Sequence, residues 1–189
     1  MKKVILFDFF GVISSEIAPI WFRRYFSEEE AKRIKEQVVA PADLGKRSED
    51  EMFTLAALSC GVDKETVKRD WYGLAKINFE LVDFIKKAKK KYPVYLLSNA
   101  QDTFLKTIIY KNKLEDLFEK TFISGEIGLA KPDVNYFKYC LSAIGKDPAE
   151  CVMIDDNPNN IAAAKEVGID GIVFSNNESF YEKFNEYFD

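Results

Sequence analysis

The sequence predicts an α/β fold in which a parallel β-sheet is covered by helices on both faces. The chain opens with an apolar strand, Val4-Ile5-Leu6-Phe7, and from about Ile77 onwards amphipathic helical patterns alternate with short apolar runs. Such alternation is typical of parallel sheets, because neighbouring parallel strands need a crossover connection between them. Between these two parts the sequence has helical patterns only. We therefore expect an α/β core that is interrupted by a helical insertion.

The segment after the first strand predicts four helices. They are expected over residues 19–26, 28–40, 49–60 and 64–72. Ser27 and Ser48 are each followed three residues later by a glutamate, which is the pattern of a capping box at a helix N-terminus. Pro41 is expected to end the second of these helices and Gly61 the third.

The rest of the chain predicts four more strands that alternate with five helices. The strands are expected over residues 94–97, 121–123, 151–154 and 171–174, and the helices over residues 79–88, 103–110, 133–144, 161–167 and 179–188. Residues 1–13 and 78–189 would form the core domain, and residues 14–77 the insertion. The aromatic residues of the last helix are expected to pack on the sheet.

Composition and charge exclude several classes of function. The 189 residues include 27 basic and 31 acidic side chains, a net charge of −4, so no nucleic-acid partner is expected. No apolar run is long enough to cross a bilayer and no signal peptide is recognisable, so no membrane partner is expected. The three cysteines lack metal-ligand spacing and suit reduced thiols, which favours a cytoplasmic protein.

The chain contains no histidine, and this absence narrows the chemistry further. Ser-His-Asp and Cys-His nucleophiles, zinc sites with histidine ligands and imidazole as a general base all require that residue. Any reaction must therefore use carboxylates, hydroxyls, lysines and metal ions that prefer oxygen ligands.

Polar residues follow the first two predicted strands at the points where these strands end. Asp8 comes after the first strand and is the candidate reacting group, and Gly11 in the turn beyond it allows a ligand to approach the backbone closely. Ser98 and Asn99 end the next strand and offer a hydroxyl and an amide to an anionic oxygen. Ligands in open α/β sheets bind beyond the carboxyl ends of the strands. Taken singly, each cluster is also compatible with an ordinary turn or helix cap.

A lysine and an acidic pair complete the set of polar clusters. Lys131 precedes Pro132, whose fixed backbone would direct the ammonium group at a phosphoryl group, although Lys-Pro-Asp is also an ordinary start of a helix. Asp155 and Asp156 end another apolar strand. Adjacent carboxylates repel each other unless a cation lies between them, and oxygen ligands suit Mg²⁺. The pair therefore favours a magnesium site over a polar turn.

The four clusters resemble, in chain order, the motifs of the haloacid dehalogenase (HAD) superfamily of hydrolases. The matching residues are Asp8, Ser98, Lys131 and the pair Asp155-Asp156. The resemblance spans nearly the whole chain. It implies a Rossmann-like, three-layer parallel sheet with an inserted α-helical cap that closes over the site and selects the substrate. Residues 14–77 resemble that cap.

The resemblance also implies a mechanism. Asp8 would be the nucleophile that attacks the phosphorus of a small phosphorylated metabolite, and water would hydrolyse the resulting aspartyl-phosphate. Mg²⁺ would be held by Asp8, by the backbone carbonyl of Phe10 and by Asp155 or Asp156, and would offset charge on the phosphoryl oxygens.

Binding of the phosphoryl group is implied for residues of the second and third motifs. Ser98 and Lys131 would contact the phosphoryl oxygens, and Asn99 would assist with a hydrogen bond. The sequence does not decide which side chains of the cap face the site. The candidates are Trp21, Arg23, Arg24, Asp43 and Lys46.

Phe10 departs from the pattern of the family's phosphatases. Their first motif reads Asp-x-Asp, and its second aspartate is the general acid and base. A phenyl ring can do neither, and the loss of such a group typically costs about 10²- to 10⁴-fold in rate. Glu16 and Asp43 are conceivable substitutes for it within the cap, and water is another.

Three functions follow from this departure. The first is a Mg²⁺-dependent phosphatase with a replaced acid, and the second is a phosphate- or partner-binding module with impaired catalysis. The third is a metal-independent 2-haloacid dehalogenase, because halide leaves without a proton and those enzymes carry an aromatic residue at the position of Phe10. Dehalogenases do not keep an acidic pair such as Asp155-Asp156, so the sequence favours the phosphatase.

Overall fold

Five parallel strands form the central sheet of the protein. The computed structural model describes residues 3–188. Its strands are β1 (Val4–Phe7), β2 (Val94–Ser98), β3 (Lys120–Ile123), β4 (Cys151–Asp155) and β5 (Asp170–Val173). Their order is β3-β2-β1-β4-β5, and every neighbouring pair is parallel. The predicted parallel α/β sheet is confirmed.

Helices connect the strands and cover both faces of the sheet. They are α1 (Ala18–Phe22), α2 (Glu28–Asp43), α3 (Glu49–Cys60), α4 (Lys64–Leu74), α5 (Phe79–Ala88), α6 (Asp102–Lys111), α7 (Ser124–Ile127), α8 (Val134–Ile144), α9 (Pro158–Glu166) and α10 (Asn177–Phe188). The four residues of α7 are too few to show a helical pattern, and this helix was not predicted. Among residues 3–188, no helix is both long and apolar enough to cross a membrane.

The alternation of side chains along β1 divides the core into two layers. Ile5 and Phe7 pack in a buried cluster with α5, α6 and α10, whereas Val4 and Leu6 pack in a second cluster with α8 and α9. As predicted, the aromatic residues of the last helix pack on the sheet, since the ring of Phe180 lies edge-on to that of Phe7 with 5.9 Å between the centroids.

Helices α1 to α4 lie between β1 and α5 in the chain and share a continuous apolar cluster with one face of the sheet. The segment by which the chain leaves the sheet after β1 lies beside the segment by which it returns before α5. Ser15 N–H donates to the carbonyl of Lys76 (3.0 Å), and Asn78 N–H donates to that of Ile13 (2.8 Å). The division into a cap of residues 14–77 and a core of residues 1–13 and 78–189 stays a prediction, and residues 1, 2 and 189 lie outside the described range.

Pro41 does not end a helix, contrary to the prediction, because α2 continues to Asp43. A proline inside a helix leaves the carbonyl four residues earlier without its usual donor. Here that carbonyl belongs to Gln37, and Nη1 of Arg47 donates to it at 2.5 Å. The arginine thereby replaces the missing N–H, and α2 reaches far enough to bring Asp43 to the sheet.

Two other predictions about helix ends need qualification. Helix α1 ends at Phe22, four residues earlier than predicted, because a turn with hydrogen bonds between residues three apart follows it. Ser48 and Glu51 form the predicted capping box. Ser27 accepts the N–H of Glu30, but the Glu30 carboxylate bonds to the Ser27 hydroxyl and not to its backbone.

Candidate active site

The candidate site lies where the strand order of the sheet reverses. The chain proceeds from β1 to β2 and β3 on one side and then places β4 on the other side of β1. In parallel register Phe7 is opposite Ile154, and Asp8 N–H donates to the carbonyl of Ile154 at 2.9 Å. Asp8 and Asp155 therefore leave adjacent strands at the same edge. This is the position at which open α/β sheets bind their ligands.

Lys131 bridges these two carboxylates from the loop between α7 and α8. Its Nζ lies 2.9 Å from Oδ2 of Asp8 and 2.6 Å from Oδ2 of Asp155, and the lysine side chain is fully buried. Asn99 holds the loop, because its Oδ1 accepts the Lys131 N–H (2.9 Å) and its Nδ2 donates to the Lys131 carbonyl (2.7 Å). From the sequence, only a hydrogen bond to phosphate was predicted for Asn99. The structure shows that this amide positions the lysine.

Asp155 is held by more donors than the sequence predicted. Besides Lys131, the backbone N–H of Asn157 donates to Oδ1 (2.9 Å), and Nδ2 of Asn160 lies 3.0 and 3.1 Å from the two carboxylate oxygens. Asn160 was not singled out from the sequence. Its signal is a polar residue at a buried position of α9, beside the apolar Ile161. Asp155 is therefore an anchored carboxylate at the base of the site.

Three carboxylates converge and could hold a metal ion. Asp8, Asp155 and Asp156 each offer an oxygen within 4.8 Å of the others. Burial raises the pKa of Asp8 well above its ordinary value, and the charge of Asp155 adds to this while Lys131 opposes it. Burial likewise raises the pKa of Asp156 to about 6, with contributions from Glu16 and Asp155. A hard divalent cation would relieve this repulsion, so the donor set fits Mg²⁺.

Lys131 stays protonated in this environment. Burial favours the neutral amine, but the charges of Asp8 and Asp155 outweigh that effect and raise the pKa of the lysine above its ordinary value. One buried ammonium group thus lies among three carboxylates. The net negative charge of the carboxylates suits a metal ion, and the ammonium group of Lys131 can contact an anion.

Gly11 is needed in the turn after β1 because the Asp156 carboxylate lies against its backbone. Its φ is +83°, and a Cβ at this position would lie 2.3 Å from Oδ2 of Asp156. Any side chain would therefore displace the carboxylate as well as strain the backbone.

Gly11→Ala is expected to weaken Mg²⁺ binding and turnover through displacement of Asp156. Gly61→Ala is the matched control, since Gly61 has a φ of +66° but nothing within 4 Å of the added Cβ. Both variants should lose about 1–2 kcal/mol of stability from the left-handed backbone. Magnesium titration by calorimetry separates them, and equal magnesium affinity in both variants would contradict the placement of Asp156.

Ser98 presents a buried hydroxyl at the end of β2. Its Oγ is inaccessible to solvent and has no hydrogen-bond partner within residues 3–188. An unsatisfied buried hydroxyl costs free energy, so a ligand oxygen that accepted its proton would be favoured. Ser98 itself does not line the cavity beside Asp8, so its contact to a phosphoryl oxygen stays a prediction.

Asp8, Asp156 and Lys131 line a cavity of about 240 Å³. Its lining also includes Phe10, Glu16 from the loop before α1, and side chains from the inserted helices and α6, namely Lys35, Val39, Asp43, Met52, Trp71 and Phe104. Of the five candidate cap residues, Asp43 alone lines the cavity in the described chain. Trp21, Arg23, Arg24 and Lys46 do not.

Known proteins match most of the chain. A family model described as haloacid dehalogenase-like hydrolase matches residues 2–168. The D-ribitol-5-phosphate phosphatase of Bacteroides thetaiotaomicron is 26% identical over 186 residues, which cover 90% of this chain and 90% of that protein. A drimenol cyclase of Aspergillus calidoustus is 30% identical over 95 residues, but the chain spans only 18% of its length. A solved HAD family enzyme of Bacteroides thetaiotaomicron, in complex with magnesium and inorganic phosphate, is similar with a TM-score of 0.79 and 30% identity, over 97% of this chain and 100% of that one.

Proposed function

The chain belongs to the haloacid dehalogenase-like hydrolase family, and from this premise we propose that it is a Mg²⁺-dependent phosphatase of a small phosphomonoester. The membership predicted from the four motifs is confirmed. The observation that carries the proposal is the convergence of Asp8, Asp155 and Asp156 around Lys131. The relative that hydrolyses D-ribitol-5-phosphate and the solved relative with magnesium and phosphate support it.

The residues of the site fit the magnesium ion that the family implies. We propose Asp8, the backbone carbonyl of Phe10 and the acidic pair as its ligands. Asp156 is the better candidate of the pair, because it lines the cavity while Asp155 is engaged by Lys131 and two asparagines. When bound, the ion would neutralise charge on the transferring phosphoryl group.

Asp8 is the proposed nucleophile. Its Oδ1 accepts the N–H of Phe9 at 2.6 Å and its Oδ2 faces Lys131, so the carboxylate has a fixed orientation at the cavity. An oxygen of Asp8 attacks phosphorus, the bond to the leaving group breaks, and water later releases the phosphate from the aspartyl-phosphate. Lys131 and the free hydroxyl of Ser98 hold phosphoryl oxygens during both steps.

The cap, the cellular location and the class of substrate are proposals as well. Residues 14–77 would act as the cap, since Asp43 and Trp71 from this segment line the same cavity as Asp8. We place the protein in the cytoplasm, with a small phosphorylated metabolite as its partner. A cavity of about 240 Å³ suits a ligand smaller than a typical drug molecule.

Because Phe10 replaces the acid, a module with impaired catalysis is the second candidate, and it would bind phosphate with magnesium but not turn over. The 2-haloacid dehalogenase is the third candidate, because halide departs without a proton. The convergent carboxylates argue against the dehalogenase, since metal-independent chemistry leaves Asp156 without a role.

The purified protein is expected to release phosphate from several sugar, nucleotide or aryl phosphates with Mg²⁺, and EDTA should stop the reaction until Mg²⁺ is restored. Malachite-green detection of phosphate is the measurement. Chloride release from 2-chloropropionate without metal would instead establish the dehalogenase. Binding of beryllofluoride with Mg²⁺ in a protein that hydrolyses none of the esters would establish the impaired module.

A further inference from the structure

We propose that Asp43, the last residue of α2, is the general acid and base of the reaction and performs the role that Phe10 cannot. The inference rests on the proposed phosphatase function. It assigns a catalytic residue on the inserted helices, at a position outside the four motifs.

Asp43 and Phe10 lie against the same turn of α6. The ring of Phe10 stacks on that of Phe104, with 6.2 Å between centroids and 16° between the planes. The backbone N–H of Gln101 lies near the Asp43 carboxylate and acts to lower its pKa. Gln101 is the N-cap of α6, and its side chain accepts the N–H of Phe104 at 2.8 Å. Asp43 thus lies near the N-terminus of α6, the helix whose Phe104 stacks on Phe10, and Asp43, Phe10 and Asp8 all line one cavity.

The core holds the backbone of Asp43 in this position. Ser124 Oγ donates to the Asp43 carbonyl and itself accepts the N–H of Ala100 at 2.9 Å. Two residues on, a Cβ on Gly45 would lie 2.3 Å from the carbonyl oxygen of Gly125, so the two backbones are in direct contact. The C-terminus of α2 is thus fixed to the segment that follows β3, and the acid is positioned without help from a ligand.

The charged groups around Asp43 suit proton transfer near neutral pH. Burial raises the pKa of its carboxyl to about 7, and the charge of Glu16 adds to this. Lys35, on α2, and the N–H of Gln101, on α6, act in the opposite direction. Asp8, Asp156 and Lys131 line the same cavity. Both the acid and its conjugate base are therefore populated at neutral pH, as a group that first donates and then accepts a proton requires.

The two steps balance with Asp43 as the only proton carrier. An oxygen of Asp8 attacks phosphorus, the bond between phosphorus and the leaving oxygen breaks, and that oxygen takes its electron pair and the Asp43 proton and departs as an alcohol. Water then attacks the aspartyl-phosphate and gives its proton to the Asp43 carboxylate. The bond from phosphorus to Asp8 breaks, Asp8 regains its carboxylate and phosphate is released.

The decisive experiment compares an alkyl phosphate with 4-nitrophenyl phosphate in Asp43→Asn. Because 4-nitrophenolate leaves without protonation, kcat/KM should fall about 10²- to 10⁴-fold for the alkyl ester and far less for the aryl ester. Adding Phe10→Asp to Asp43→Asn should restore the alkyl reaction. Glu16→Gln is the matched control, since Glu16 lines the same cavity, and its effect should be equal for both esters.

The unmodified protein gives a second test that does not depend on the folding of a variant. For the alkyl ester, kcat/KM should fall about tenfold per pH unit above a pKa of about 7, because the ionised carboxyl cannot donate. This alkaline limb of the pH profile should be absent for the aryl ester. It should also be absent when Asp43→Asn is assayed with the alkyl ester.

Four results would overturn the inference. An equal loss for both esters in Asp43→Asn would show a structural role, and the alkaline limb surviving in that variant would point to another acid. Cleavage of aryl but not alkyl phosphates by the unmodified protein would show that no acid operates, although the phosphatase function would stand. Cleavage of neither ester would end both the proposed function and this inference.

Discussion

Asp8→Asn is expected to abolish turnover, with kcat lowered by about 10⁴-fold or more. The amide is a poor nucleophile, and the aspartyl-phosphate cannot form. Folding should survive, because the substitution removes a buried carboxylate whose pKa is raised by burial and, to a smaller extent, by the charge of Asp155. Steady-state phosphate release and intact-mass detection of the phosphorylated protein measure the two consequences.

Asp147→Asn is the control for that variant. Asp147 is an exposed carboxylate whose Oδ1 accepts the N–H of Ala149 at 2.9 Å, a bond that an asparagine oxygen keeps. Turnover of this control should match that of the unmodified protein. If Asp8→Asn retained turnover within a factor of about ten, Asp8 would not be the nucleophile.

Lys131→Met should destabilise the protein by about 3–5 kcal/mol at pH 7, because it leaves buried carboxylates without their counter-charge. Asp8 and Asp155 both pair with this lysine, at 2.9 and 2.6 Å. Phosphate release should disappear as well, since the same ammonium is the proposed contact of the phosphoryl oxygens. Urea unfolding measures the stability.

The sign of the pH dependence follows from the pKa of the carboxyls. The pKa of Asp8 is already raised with the lysine in place, and loss of the lysine raises this pKa further. The folded variant therefore keeps the Asp8 proton to a higher pH than the folded unmodified protein, so the stability lost in the variant grows as pH rises above the pKa that Asp8 has beside the lysine. The loss should be smaller near pH 4–5 than at pH 7, and Mg²⁺ should reduce it.

Lys86→Met is the matched control for the lysine. Lys86 pairs with Asp83 at 3.1 Å, but both side chains are more than half exposed, so this pair contributes little. A pH-independent loss in Lys131→Met, unaffected by Mg²⁺, would show that the lysine acts through packing and not through its charge.

The sheet could be predicted because its determinants are local. Each strand is a short apolar run and each helix a pattern of 3.6-residue period, so the order of elements follows from nearest neighbours in the chain. Pro41 shows the limit of local rules. Proline predicts a helix end, but Arg47, six residues later, supplies a donor to Gln37 and the helix continues. Such compensation depends on a tertiary contact that no periodicity reveals.

The residues of the candidate site could also be predicted only in part. Asp8 and Asp155 could be predicted because each follows an apolar strand directly, and parallel register brings strand ends together. Asn160 and the second role of Asn99 could not, because an amide has the same appearance in sequence whether it caps a turn or holds a buried acid or lysine.

The sequence by itself determined the α/β sheet, the family and the motif residues of the site, because these depend on spacing along the chain. It also showed that the usual general acid and base is absent, since Phe10 occupies the position at which the family's phosphatases carry an aspartate. Only the tertiary structure showed that Glu16 and Asp43 line the same cavity as Asp8 and that Ser124 holds the backbone of Asp43. The packing of α2 against α6 and α7 joins residues that are 58 and 81 positions apart, Asp43 with Gln101 and with Ser124. Contacts over such separations arise from the packing of whole helices, and that packing is a property of the folded chain.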